Sequence, residues 1–174
     1  MPVNKLPTGY QLRSAIDSDA SSLAALAIQV WLHTYATQGI RSAGADYVLA
    51  EFTAENFKAH IANPSEELWV AESNQHLIGY ALLKFGAQCP IAVKTQIQLA
   101  TLYVQAHFIG QGIGAALLAH CHNRLPADET LWLMANAQNA RAIAFYKQHG
   151  YTQAGLTYFE LSGERHENVV LVSG

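Results

Sequence analysis

Leu102-Tyr103-Val104-Gln105-Ala106-His107-Phe108-Ile109-Gly110-Gln111-Gly112-Ile113-Gly114-Ala115-Ala116-Leu117-Leu118 is the stretch on which the fold turns. Its first part, continued upstream through Thr95-Gln96-Ile97-Gln98-Leu99-Ala100-Thr101, is rich in β-branched and aromatic residues and reads as a strand over 95–104. Its last part begins a helix over Ile113–Arg124, stopped by Pro126. Between them, Gly110, Gly112 and Gly114 alternate with larger residues. Glycine admits positive φ and lets a ligand approach the backbone. The first turn of a helix leaves N–H groups without intrahelical partners, and the helix dipole makes that end attractive to anions. A strand, a glycine turn and a helix in this order therefore suit a phosphate or pyrophosphate. A tight turn with no ligand is the other reading of the glycines alone. The spacing is not Gly-x-Gly-x-x-Gly, and no Gly-Lys-Ser/Thr is present, so the dinucleotide and nucleoside-triphosphate motifs are excluded.

Downstream, Glu129–Ala135 reads as a strand and Asn139–His149 as a helix, with Gly150 suited to a left-handed C-terminal position. Asn139 and Tyr146 are seven apart and share a helix face. Taken alone, the plainer reading of that pair is a helix cap and a packed ring. Strands over Tyr151–Leu161 and Glu167–Val172 flank a Ser162-Gly163 turn. Upstream, Tyr10–Ala15 reads as a strand. Asp17-Ser18-Asp19 offers N-cap residues to a helix over about 19–37. Residues 40–52 show no decisive period. Thr53 caps a helix over Ala54–Ala62, which Asn63-Pro64 ends. Strands over 67–73 and 76–85 flank Asn74-Gln75, and 86–94 is a loop. The order β-α-α-β-β-β-α-β-α-β-β predicts an α/β mixed sheet with helices on both faces. At 174 residues one domain, 1–174, is expected.

Composition narrows the function classes. The chain is 51% hydrophobic and 13% charged, with a net charge of −3, which describes a folded domain without the basic footprint of a nucleic-acid binder. No apolar run approaches the roughly 18 residues of a membrane span, and the N-terminal residues lack a signal-peptide core, so a soluble, cytoplasmic protein is expected. Cys89 and Cys121 make no disulfide framework, and Cys121, in an apolar helical pattern, reads as a buried thiol. His120 and His122 fall on different helix faces, so no metal is expected. A homodimer is the common default for a chain of this kind.

The two motifs together resemble the GNAT superfamily, the Gcn5-related N-acetyltransferases. The likeness lies in Leu102-Tyr103-Val104, Gly112-Ile113-Gly114, Asn139-Ala140-Arg141-Ala142, Phe145-Tyr146 and Gly150-Tyr151. It extends more loosely to Ile16–Ala20 and to Val70–Glu72 with Ile78–Ala81. The resemblance implies a mostly antiparallel twisted sheet, splayed into a V between strands 95–104 and 129–135, that binds acetyl-CoA. It implies that pantetheine pairs with the backbone of Leu102, Tyr103 and Val104. The pyrophosphate would lie on Ile109, Gly110, Gln111, Gly112, Ile113, Gly114 and Ala115. Asn139 and Phe145 would attend the cofactor arm. Tyr146 would be the general acid toward the leaving thiolate, and the Val104 N–H would polarise the thioester carbonyl. The amine would attack directly, without an acetyl-enzyme.

The sequence departs from the family pattern in two places. Ile109 stands where an Arg or Gln is usual, which removes one side-chain contact to phosphate, about 1 kcal/mol. Gln98 and Ala100 stand where many relatives carry a Glu base. An alkylamine is mostly protonated at neutral pH, so a proton must still leave. His33, Glu72 and His166 are candidates for that role by residue type. Trp31, His33 and Tyr35 lie where the resemblance puts the acceptor, and aromatic rings there could hold a cationic amine. The tail, with Gly155, Phe159 and Glu167-Asn168-Val169-Val170, resembles the bacterial polyamine and small-amine branch. The expected function is acetyl transfer to a primary amine of a small molecule, polyamine or amino-acid-like. The alternatives are a CoA-binding sensor without catalysis and an acetyltransferase acting on a protein N-terminus or lysine.

Overall fold

A computed structural model describes residues 9–174. Seven strands form one sheet in the order β1-β2-β3-β4-β5-β7-β6. They are β1 (Tyr10–Ser14), β2 (Glu66–Ser73), β3 (His76–Lys84), β4 (Gln98–Val104), β5 (Trp132–Asn136), β6 (Tyr151–Leu161) and β7 (Glu164–Ser173). The helices are α1 (Ala20–Tyr35), α2 (Ser42–Glu51), α3 (Ala54–Ala62), α4 (Ile113–Asn123) and α5 (Ala140–Gln148). β1 pairs with β2, β5 with β7 and β6 with β7, all antiparallel, while β4 and β5 run parallel and register at Gln98 and Trp132. This is the mixed, mostly antiparallel α/β sheet the sequence leads one to expect. No helix among the described residues is long and apolar enough to cross a membrane.

The described chain forms two compact units. One comprises the residues up to Leu83 with Thr101–Asn123; the other comprises Lys84–Ala100 with Arg124–Gly174. In the first, a β-carbon on Gly79 of β3 would lie 3.4 Å from Leu117 of α4, whereas the neighbouring Tyr80 meets Phe57 of α3 at a ring separation of 5.6 Å. Successive strand residues face opposite ways, so α3 and α4 cover opposite faces. The core is built on Leu23, Val70, Tyr80, Leu83, Leu117 and Cys121, all essentially without exposure. In the second unit, Trp132 and Val170 pack with Cys89, Ala87, Ile91 and Val93 on one face. Tyr151 and Tyr146 meet on the other, at 5.5 Å.

Several boundaries move for identifiable reasons. β4 begins at Gln98 rather than Thr95 because the Thr95 hydroxyl donates to the Thr130 carbonyl (2.6 Å) and accepts from Ile97 N–H (3.1 Å), replacing ladder pairing with a side-chain clamp. β5 begins at Trp132 rather than Glu129, since Leu131 N–H goes to the Ser173 hydroxyl at 2.8 Å. β7 reaches back to Glu164 because Ser162 and Gly163, at φ 50° and 79°, make a two-residue turn that keeps Leu161 and Glu164 paired. Asp19 does not cap α1 through its side chain. Its carboxylate accepts from Ile16 N–H (2.8 Å) and from Arg13 Nη1 and Nη2 (2.7 and 2.9 Å). α3 carries the expected Thr53 cap, its hydroxyl accepting from Asn56 N–H at 3.1 Å. α2, where the sequence shows no period, is a ten-residue helix.

Candidate active site

The glycine turn is built as a launch for α4. After Val104 the chain makes a short 3₁₀ turn over Ala106–Phe108, with Phe108 N–H bonded to the Gln105 carbonyl at 2.9 Å. Gly110 and Gly112 both take φ +83°, a left-handed conformation that favours glycine. A β-carbon on either would meet nothing within 4 Å, so backbone shape, not crowding, calls for glycine and the space above the turn is open. The bond from Ala116 N–H to the Gly112 carbonyl (3.0 Å) starts the helical ladder. The N–H groups of Ile113, Gly114 and Ala115 therefore precede it. Gln111 Nε2 donates to the His107 carbonyl at 3.3 Å, stitching the turn on its exposed side.

β4 is anchored beside this turn by residues distant in sequence. Gln105 N–H bonds the Ile78 carbonyl at 2.9 Å. A β-carbon on Gly79 would sit 2.8 Å from the Tyr103 carbonyl oxygen and 3.5 Å from Val104 Cα. Gly79 thus sets the path of the Leu102–Val104 backbone, a role the sequence did not signal on its own. The Tyr103 ring packs against Tyr80 (5.6 Å) and Phe52 (6.4 Å). Leu102, Tyr103 and Val104 are half-buried, as are Ile109 and Ile113's neighbours Gly112 and Gly114.

In the second unit, α5 presents the other motif. Asn139 is its N-cap: the side-chain oxygen accepts from Ala142 N–H at 3.2 Å, and the carbonyl accepts from Ile143 N–H at 3.1 Å. Asn136 prepares that cap, its carbonyl accepting from Asn139 N–H at 2.9 Å. Tyr146 is 9% exposed, with its ring against Phe145 (5.2 Å) and Tyr151 (5.5 Å). Asn139, Phe145 and Tyr146 are thus held by one short helix. Both plain structural roles, cap and packed ring, are realised.

The candidate bases are dispersed. Glu72 is engaged by Arg13, whose Nε donates to its carboxylate at 2.7 Å. His33 is exposed on α1. His166 stacks on Phe159 at 5.0 Å. Gln98 is half-buried on β4. Among the described residues, no three His, Cys, Asp or Glu side chains gather as a metal site would need.

Comparison with known proteins bears on this arrangement directly. Residues 31–163 match the family model described as an acetyltransferase (GNAT) domain. The chain belongs to the GNAT family and is an acyl-CoA-dependent N-acetyltransferase. It is 29% identical over 154 residues to an uncharacterised N-acetyltransferase of Mycobacterium tuberculosis, covering 87% of this chain and 94% of that one. It is 30% identical over 123 residues to the ribosomal protein bS18-alanine N-acetyltransferase of Escherichia coli, covering 66% and 82%. Its fold is similar to that of the PaiA N-acetyltransferase of Thermoplasma acidophilum in complex with coenzyme A. That likeness has a TM-score of 0.74 at 20% identity, over 95% of this chain and 99% of that one.

Proposed function

We propose that this chain is a single acetyltransferase domain that moves an acetyl group from acetyl-CoA to a primary amine of a small molecule. The observation that carries the reading is the open glycine turn: two left-handed glycines with clear space above them, at the mouth of a helix whose first N–H groups precede its ladder. Such a cradle fits a pyrophosphate. Ile109 to Ala115 hold it through the backbone, so the missing Arg or Gln at Ile109 weakens binding without abolishing it. Leu102, Tyr103 and Val104 offer backbone groups to the pantetheine arm, and Asn139 and Phe145 attend it. Acetyl-CoA supplies the activated acyl group when bound.

The residues then divide the work. The Val104 N–H stabilises negative charge developing on the carbonyl oxygen. The neutral amine forms the new C–N bond as the C–S bond breaks. Tyr146 gives its proton to the leaving sulfur, and the amine's surplus proton passes to solvent, directly or through a water held by Gln98. Replacing Tyr146 by Phe keeps its ring contacts and removes only the hydroxyl. The expected result is a fall in kcat of about 10²-fold or more with the Kd for acetyl-CoA unchanged. Undiminished turnover removes Tyr146 as the acid.

The likeness to the bS18-alanine enzyme supports a second reading, in which the acceptor is a protein N-terminus. Turnover of peptides but of no free amine would establish it.

A further inference from the structure

The chain between β5 and α5 uses each of its backbone donors. Ala137 N–H bonds the Glu167 carbonyl of β7 at 2.9 Å, and Asn139 N–H bonds the Asn136 carbonyl at 2.9 Å. Gln138 N–H goes to the side-chain oxygen of Asn136, also at 2.9 Å. That last bond closes an Asx turn, in which an Asn or Asp side chain takes the place of a backbone carbonyl and accepts from the N–H two residues on. The other two bonds are backbone to backbone. Of the three, only the Asx turn depends on the identity of a side chain. Asn136 is the last residue of β5, held in register with Asn168 of β7, so the turn starts from a fixed strand.

α5 needs such a start. Of its nine residues only Tyr146 is buried. Packing therefore grips the helix near its far end, where the Tyr146 ring meets Tyr151 at 5.5 Å. Its near end is held by hydrogen bonds: the Asn139 side-chain oxygen caps Ala142 N–H at 3.2 Å, and Asn139 is placed by the turn before it. So short a helix is marginal without supports of this kind. Held at one end alone it can swing, and its swing turns the Tyr146 side chain.

We propose that Asn136 is a positioning residue for acetyl transfer: its Asx turn fixes the start of α5 and thereby the direction of the Tyr146 phenol. Asn136 needs no contact with either substrate for this. The inference rests on the reading of Tyr146 as the acid that protonates the leaving sulfur. Aspartate should serve at 136 as asparagine does. Its oxygen can accept from the same N–H, and the helix dipole favours a carboxylate just before α5. Alanine offers no acceptor.

The test compares the full chain with Asn136→Ala, Asn136→Asp, Tyr146→Phe and the double variant Asn136→Ala with Tyr146→Phe. CoA release is followed at saturating acetyl-CoA with a fixed mixture of spermidine, n-pentylamine and glycinamide. Asn136→Ala should lower kcat about tenfold, the scale of a slightly misplaced catalytic group, and Asn136→Asp should restore most of it. Once Tyr146→Phe has removed the acid there is nothing left to misplace, so in that background the alanine should cost no more than about twofold. Hydrogen exchange over residues 137–146 should quicken in Asn136→Ala and return to normal in Asn136→Asp. Undiminished turnover in Asn136→Ala, no recovery in Asn136→Asp, losses that multiply in the double variant, or unchanged exchange over 137–146 would each overturn the inference. Normal turnover in Tyr146→Phe overturns the acid reading instead, and no CoA release by the wild type overturns the small-amine reading.

Discussion

At Gly79 the protein has no room for even a methyl group, because a β-carbon would press on the Tyr103 carbonyl at 2.8 Å. That carbonyl is backbone and cannot swing aside as a side chain could. Gly79→Ala should displace the Leu102–Val104 backbone and weaken acetyl-CoA binding by about tenfold, near 1.4 kcal/mol, measured by calorimetry. Gly112→Ala tests a different cost. The space is open, but φ +83° is strained for any residue with a β-carbon, so a loss of about 1–2 kcal/mol of stability is expected in a denaturant titration. Gly112 was legible in the sequence because glycine spacing before a helix is a local signal. Gly79 was not, since its need comes from a neighbouring strand that sequence order does not bring beside it. The Asn139 cap was legible from its place at the start of a helical run, whereas the packing of the Tyr103 ring against Tyr80 and Phe52 appears only in three dimensions.

Among the elements, α2 shows how a helix escapes a reading by periodicity. Its run Ser42-Ala43-Gly44-Ala45 is too small and uniform to carry an apolar stripe, and only Val48 is buried. What holds it is Trp31 of α1, whose ring lies 3.3 Å from the place a Gly44 β-carbon would occupy. The Trp31 ring is itself flanked by Tyr35 and Tyr47 and has little freedom to yield. Gly44→Ala would gain about 1 kcal/mol in helix propensity. Overpacking against a fixed ring costs about 1–3 kcal/mol, so net destabilisation is the expected outcome, read as a lower denaturant midpoint. The helices α1, α3, α4 and α5 were legible because each carries a cap, a stop or an apolar face of its own. Strand ends shifted where Thr95 and Ser173 use side-chain hydroxyls in place of ladder bonds, a choice that depends on partners 35 and 42 residues away.

For the molecule as a whole, stability should decline at both ends of the pH scale through groups named above. Arg13 hydrogen bonds hold the Asp19 carboxyl below the usual carboxylate range. A folded-state pKa below the unfolded value of about 3.9 contributes stability above that pH, lost as pH falls through the folded value. Asp19→Asn should therefore flatten the acid limb of a stability–pH curve. Burial pushes the Cys121 thiol up to about 12. Its contribution is intact below the ordinary thiol value of about 8.5 and declines as pH rises from there toward the folded value. Cys121→Ala should flatten the alkaline limb over that window. The two motifs made the family legible, because each is a local spacing tied to one ligand. The acceptor was not legible, because no motif of fixed spacing marks an amine site as the two motifs mark the cofactor.

The central claim is acetyl transfer from acetyl-CoA to a small primary amine. It is tested most directly by incubating the purified protein with acetyl-CoA and a panel of monoamines, diamines and amino acids, and reading products by mass spectrometry. One amine gaining a single acetyl group, in step with CoA release and lost in Tyr146→Phe, is the expected result. No amine acetylated while acetyl-CoA binds normally would contradict it.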